Sequence, residues 1–348
     1  MPEMMKALIK AKSDVGIWMG EVPIPEIKPD EVLIKIQRAS ICGTDMHIYK
    51  WDDWAKATVP VPMVTGHEYG GEVVEVGSTV RRVKVGDRVS GEGHVVGNRS
   101  RNARSGRFHL DPDTMGIGVN MPGAFAEYLC LPEFNVIPLA DDFSLEIAAI
   151  LDPLGNAVHT ALSFDLVGED ILITGAGPIG VMSAAVAAQA GARRIAITDI
   201  NEWRLNFAKK IVPELHTVNV TKQDLREEMK TMGLKEGFDV GFEMSGAAPA
   251  FEQMIDTMIM GGNIAMLGLP PKPFAADFGK IVLKALTIRG IYGRQMYDTW
   301  YKMLALLDSG LNVEGMITDR FAAKDYQAAF DLMLTGEAGK VILDWTDV

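Results

Sequence analysis

Over the first 140 residues apolar and polar positions alternate in short runs cut by glycine and proline. Residues 31–38 (E-V-L-I-K-I-Q-R) and 72–76 (E-V-V-E-V) show the period of two and the β-branched content that bury one face of a strand. Turn signals at Gly66, Gly77 and Gly86-Asp87 separate such runs, which predicts a small, barrel-like β domain. The pattern changes near residue 145. Residues 144–164 predict a helix with Ser144 as its N-cap and Pro153 as an interruption. Strands at 170–174 and 194–198 then alternate with helices at 179–190, ended by Gly191, and at 202–210. Further strands are predicted at 238–243, 263–267 and 286–290. Such alternation implies a parallel sheet covered by helices on both faces. Helices at 297–309 and 324–335 and a closing strand at 340–343 suggest that the chain returns to its first domain. The expected organisation is therefore a β-rich domain from 1–156 and 297–348, and a doubly wound α/β domain from 157–296. No internal repeat is visible.

Composition adds a few limits. A length of 348 residues suits two domains. With 46 acidic against 34 basic residues the net charge is −12, which argues against nucleic acid or an anionic membrane as partner, since both are polyanions. Only two cysteines occur, Cys42 and Cys130, so a disulfide framework is not expected and a reducing compartment is. Cys130 reads as a small buried filler, and the 20 methionines as flexible core packing. No stretch approaches the ~20 apolar residues of a membrane helix, and residues 1–9 hold no signal segment, so the expected location is the cytoplasm.

Candidate chemistry begins in the second domain. The strand I-L-I-T at 171–174 runs into Gly175-Ala-Gly177-Pro-Ile179-Gly180 and then a helix. A bare G-x-G-x-x-G is weak, but strand, glycines and helix in sequence form a dinucleotide turn. The first glycine permits the tight turn, the second lets the backbone approach a pyrophosphate, and the third lets helix and strand pack closely. The helix N-terminus offers free N–H groups and a favourable dipole to the phosphates. Asp199 ends the next strand, where a carboxylate accepts the ribose hydroxyls of NAD and repels the 2′-phosphate of NADP. Arg204 follows within reach of the adenosine end. Leu267, Gly268, Leu269, Ile291 and Tyr292, beyond two later strands, are assigned to the same cofactor site.

In the first domain, Cys42 lies in I-C-G-T-D-M-H, His67 and Glu68 in G-H-E-Y-G-G, and Asp152 in L-D-P-L-G. Thiolate, imidazole and carboxylate suit zinc, and a catalytic zinc keeps a position open for substrate. Gly66-His67-Glu68-x-x-Gly71, with Gly77 and Val80 beyond, resembles the zinc signature of the medium-chain alcohol dehydrogenases. Longer blocks at 39–54, 86–94, 155–180, 243–251 and 290–303 resemble the threonine-oxidising branch of that family, and the similarity covers nearly the whole chain. The resemblance implies a GroES-like catalytic domain beside a Rossmann domain. It implies Cys42, His67 and Glu68 as ligands of a catalytic zinc, with Asp152 near the metal or substrate. It also implies a proton relay through Thr44 to His47, and His94 beside the substrate. The implied reaction oxidises L-threonine at its β-carbon with NAD, giving 2-amino-3-oxobutanoate, which loses carbon dioxide to form aminoacetone or is cleaved by a CoA-dependent partner to glycine. A homotetramer is also implied.

The chain departs from the family at the second, structural zinc. Its four cysteines would fall at 97, 100, 103 and 111, which here are Gly97, Ser100, Ala103 and Asp111. No structural zinc is expected, and a lobe without its metal is expected to be looser. Two other readings share the scaffold. A zinc-dependent polyol or butanediol dehydrogenase would keep the metal and cofactor residues and differ near His94, Asp152 and Tyr292. A zinc-free quinone-reductase-like or structural protein would lack the ligands. Arg294 is offered as the partner of a substrate carboxylate.

Overall fold

The computed structural model describes residues 2–348, which form two compact units: Met1–Asp152 with Ile317–Val348, and Pro153–Met316. The first unit is built on a seven-stranded sheet whose central strand is Glu31–Ser40. Glu68–Val76 and Tyr128–Pro132 pair antiparallel with it, and so does the C-terminal strand Lys340–Asp344. Arg88–Gly91 and Val136–Pro138 extend the sheet on one side, and Ile317–Ala322 on the other. Alternate residues of these strands, among them Ile34, Ile36, Val73, Leu129 and Leu343, meet in one core. A smaller sheet of Trp18–Pro23, Met4–Lys10 and Met63–Val64 completes the β architecture.

Register decides what lies at the end of the central strand. Ser40 stands opposite Glu68 on one neighbour and Ile342 on the other. Cys42, two residues past Ser40, therefore comes beside His67 and Glu68 at the start of one strand and Lys340 at the start of another. Residues up to 300 positions apart are gathered by backbone pairing alone.

The second unit is a six-stranded, wholly parallel sheet. Its order is His216–Asn219, Arg194–Asp199, Asp170–Thr174, Phe238–Glu243, Met258–Met266, Thr287–Gly290. Numbered within the unit this is 3-2-1-4-5-6, the doubly wound order of dinucleotide-binding domains. Asp170–Thr174 is buried at every position, as a strand covered on both faces must be. The helix Pro178–Gln189 behind it starts with proline at its first position, where the missing N–H breaks no bond.

Two expectations change. The helix expected over 144–164 is two helices, Leu145–Ala148 and Leu151–Ala161. Ser144 caps the first, its Oγ accepting the Ile147 N–H at 3.4 Å. Pro153 sits in the first turn of the second, where it is tolerated, and does not interrupt a longer helix. The return expected near 297 comes at Ile317. Helix Asp298–Asp308 belongs to the second unit, where Trp300 lies under the Arg294 guanidinium and Ser309 accepts the Gln189 amide. Among the described residues no helix is long and apolar enough to cross a membrane.

Candidate active site

One ligand atom from each of Cys42, His67 and Glu68 lies within 4.8 Å of the others. Glu68 is buried; its Oε2 accepts the Lys340 ammonium at 2.5 Å, whereas Oε1 has no hydrogen-bond partner. A buried carboxylate oxygen left unpaired is costly unless a cation meets it. The field here is strongly negative. Burial alone would lower the His67 pKa, but Asp45, Cys42 and Asp152 raise it well above the usual imidazole range. A site that favours a proton so strongly favours a divalent cation for the same reason, and sulfur, nitrogen and oxygen donors together suit zinc.

Cys42 is the N-cap of helix Gly43–Lys50. Asp45, fully buried one turn on, accepts the Cys42 N–H at 2.9 Å through Oδ2, and its Oδ1 lies 3.8 Å from His67 Nδ1. Burial pushes its carboxyl up to about 6, against the opposing pull of His67. Asp45 thus fixes the thiol-bearing residue and faces the imidazole at once. On the same helix Thr44 Oγ1 lies 3.8 Å from Cys42 Sγ. His47, three residues on, shares a helix face with Thr44 and is largely exposed. Its Nδ1 pairs with Asp52 Oδ2 at 2.5 Å, and Asp52 also caps the next helix by accepting the Ala55 N–H at 3.0 Å.

In the second unit the residues of the dinucleotide turn stand at the carboxyl ends of the parallel strands. Gly175 has a φ of +98°, a region side chains avoid, and its N–H donates to Thr198 O at 2.8 Å. A Cβ on Gly180 would stand 2.1 Å from the Gly175 carbonyl oxygen, so helix and strand pack as closely as the motif requires. A Cβ on Gly177 would meet nothing within 4 Å: the space over the helix N-terminus, beside Ile179, is open. Asp199 Oδ2 accepts the Ala176 N–H at 2.8 Å, and Oδ1 accepts Ile200 and Asn201 N–H at 2.8 and 2.9 Å. The carboxylate therefore clamps the turn and keeps lone pairs for a ribose. Arg204 is half-buried on the helix that follows. Leu267 and Gly268 donate their N–H groups to Glu243 O, Leu269 is exposed, and Ile291 donates to Met266 O beside an exposed Tyr292. These positions follow the carboxyl ends of parallel strands, as the glycine turn does.

Residues 28–141 match the family model of the Alcohol dehydrogenase GroES-like domain, and residues 178–309 that of the Zinc-binding dehydrogenase. The L-threonine 3-dehydrogenase of Ruegeria pomeroyi is 59% identical over 98% of this chain and 100% of its own length. That of Mesorhizobium japonicum is 60% identical over 99% and 100%.

The chain belongs to the zinc-binding alcohol dehydrogenases.

Among solved structures of this family, the 2R,3R-butanediol dehydrogenase from Bacillus subtilis superimposes with a TM-score of 0.88 at 26% identity, over 98% of this chain and 100% of that one. Four further residues of this zinc-binding dehydrogenase escaped the sequence reading: Asp45, Asp52, Glu92 and Lys340. Asp45 and Asp52 lie in the expected block, but an acidic side chain in a short helix carries no sign of what it faces. Lys340 is brought to Glu68 only by strand register. Glu92 is fully buried and accepts both the backbone N–H and the ring Nδ1 of His94, at 3.1 and 2.9 Å, which fixes the imidazole. Asp152, also buried, acts on His67 through its charge. Arg294 is not offered to solvent. It is 2% exposed, its stem packs on Gly155 and its guanidinium lies over Trp300.

Proposed function

We propose that this chain oxidises the β-hydroxyl of L-threonine with NAD, yielding 2-amino-3-oxobutanoate, NADH and a proton. The observation that carries the reading is the joint presence of an anionic Cys42–His67–Glu68 cluster and full-length identity near 60% to L-threonine 3-dehydrogenases. Cys42, His67 and Glu68 would hold one catalytic zinc per subunit, with Asp152 beside it. The glycine turn, Asp199 and the strand ends at 267–269 and 291–292 would hold NAD. When bound, zinc lowers the pKa of the substrate hydroxyl as a Lewis acid and NAD takes up the hydride.

The chain itself has to move one proton. The Thr44 hydroxyl, beside the Cys42 sulfur, accepts and donates hydrogen bonds at once and so passes a proton along without holding charge. His47 on the same helix face is the terminal acceptor. With its Nδ1 committed to Asp52, Nε2 is the nitrogen that takes the proton, and exposure lets the imidazole return it to water. His94, whose ring Glu92 holds, would meet the substrate's polar groups. Preference for NAD follows from the Asp199 carboxylate, which a 2′-phosphate would have to approach.

The test is NADH formation from L-threonine, 2R,3R-butanediol and sorbitol, with the metal counted per subunit. Turnover on threonine that chelation abolishes, with one zinc per subunit, supports the reading. Turnover on the diol or polyol alone transfers the assignment to that branch. Activity that survives complete metal removal overturns it.

We also propose a homotetramer in the cytoplasm. Both cysteines are free. The terminal strand Thr287–Gly290 leaves one edge of the parallel sheet unpaired, beside exposed Phe278, Val282 and Leu283 on helix Phe278–Leu283. An open edge flanked by apolar side chains suits a second copy of the chain.

A further inference from the structure

Residues 96–114 form an excursion closed at its neck by the short strands His94–Val95 and Met115–Gly116, which pair antiparallel. This is the lobe in which the resemblance places a second zinc, and the residues present do not fit one. Gly97 and Ala103 supply no donor side chain, and Ser100 and Asp111 supply one hydroxyl and one carboxylate. Position 97 is also closed to a larger residue, since a Cβ there would stand 2.8 Å from Asp113 Cβ. Among the described residues the one group of three or more potential ligands close enough to share an ion is Cys42–His67–Glu68.

The centre of the lobe is nevertheless filled. Asp111 is 5% exposed. Its Oδ2 accepts the Asn98 N–H at 3.2 Å and its Oδ1 the Asp113 N–H at 3.4 Å. Against the upward push of burial, the Ser100 hydroxyl and the backbone of Asp113, Asn98 and Gly97 around this carboxylate hold its pKa below the usual range. Ser100 in turn accepts the Ala103 N–H at 3.1 Å and caps the turn Arg101–Arg104, and Ala103 is buried behind it. The Asp111 carbonyl accepts the Thr114 hydroxyl at 2.8 Å, and the Asn102 amide donates to Leu110 O at 3.0 Å. Of the four positions that would carry thiolates, Ser100, Ala103 and Asp111 are therefore engaged in local hydrogen bonds, and Gly97 packs beside Asp113 and the Asp111 carboxylate.

We infer that this lobe is a metal-free variant in which the buried Asp111 carboxylate stands where the structural metal would, accepting the Asn98 and Asp113 N–H groups in the turn that Ser100 caps. Polarity is inverted relative to a zinc site: an anion at the centre draws in donors, where a cation would draw in thiolates. These bonds are local, so the lobe keeps its fold when the catalytic metal is removed. The inference is independent of the substrate.

The test is hydrogen–deuterium exchange of peptides covering 97–114 in the full-length enzyme, before and after chelation, and in Asp111→Asn, Ser100→Ala and Asp113→Asn. Chelation should leave exchange in the lobe unchanged. Asp111→Asn, which replaces one accepting oxygen with an NH2 group facing a backbone N–H, should speed it by about tenfold or more. Ser100→Ala, which removes the cap of the turn beside Asp111, should give a smaller increase in the same peptides, and it carries the test if Asp111→Asn fails to fold. Asp113→Asn keeps its N–H and should match the parent. Exchange that rises on chelation alone overturns the inference. So does Asp111→Asn, or Ser100→Ala in its place, exchanging no faster than Asp113→Asn.

Discussion

At the residue scale the two cysteines differ sharply. Cys130 is half-buried with its Sγ 3.3 Å from Glu31 Oε2; burial first, and that carboxylate second, push its thiol up to about 12. Since the thiolate is the reactive form, Cys130 should resist iodoacetamide at pH 8. Cys42 should be shielded while zinc is bound and open once it is stripped. Intact mass should show no adduct on the loaded enzyme and one on the stripped enzyme, mapped to Cys42; labelling at Cys130 would contradict this. Lys10 is a second group whose setting defines a behaviour. It is buried against the rings of Trp18 and Trp51 and donates to Asp14 O and Gly16 O, and burial lowers its pKa to about 8. The folded state releases this proton before the unfolded state does. The cost of burying the charge is complete below about pH 8 and is relieved as pH rises towards the ordinary lysine value of about 10.5. The stability of the parent relative to Lys10→Met, from urea unfolding, should rise across that window. A flat difference would mean that the charge is not buried at this site.

At the scale of elements, what can be read in advance depends on whether the signal is local. The glycine turn, Asp199 and the alternating strands are written in contiguous stretches, and their positions follow from propensity and period. Cys42, His67 and Glu68 were legible because each sits in a distinctive block. Lys340 was not, because nothing in K-V-I-L-D reveals that Ile342 pairs with Ser40 and so delivers an ammonium to Glu68. The helix break between Ala148 and Leu151 and the late return at Ile317 were hidden for a similar reason: tertiary packing chooses among helix boundaries that local sequence leaves open. The Lys340–Glu68 pair gives this a measurable form. Both side chains are almost fully buried. Removing one partner leaves a buried charge, so Lys340→Met should destabilise the metal-free enzyme by ~3 kcal/mol. Lys340→Met/Glu68→Gln should recover much of that loss. If the two single changes simply add, the pair is not coupled and the register argument for it fails.

On the scale of the whole molecule, the second unit ends in a surface that a lone subunit has little reason to keep. Thr287–Gly290 is the outermost strand of a parallel sheet, four residues long and mostly exposed. Next to it Phe278, Val282 and Leu283 are more than 70% exposed on a single short helix. Solitary apolar side chains on a surface mean little, but three on the one helix that leads into an open edge strand are more than chance exposure supplies. A second copy satisfies both features, because two identical edges can pair about a twofold axis while the flanking helices cover each other. Val282→Glu tests this cleanly. At 75% exposure the residue contributes little to the subunit's own core, so the variant should fold with its metal and cofactor sites unaltered. Light scattering should give a four-subunit mass for the parent and at most half that mass for the variant, at the same concentration and with unchanged zinc per subunit. A parent that is monomeric, or a variant that assembles like it, would remove this face from the interface and leave its apolar residues to another partner.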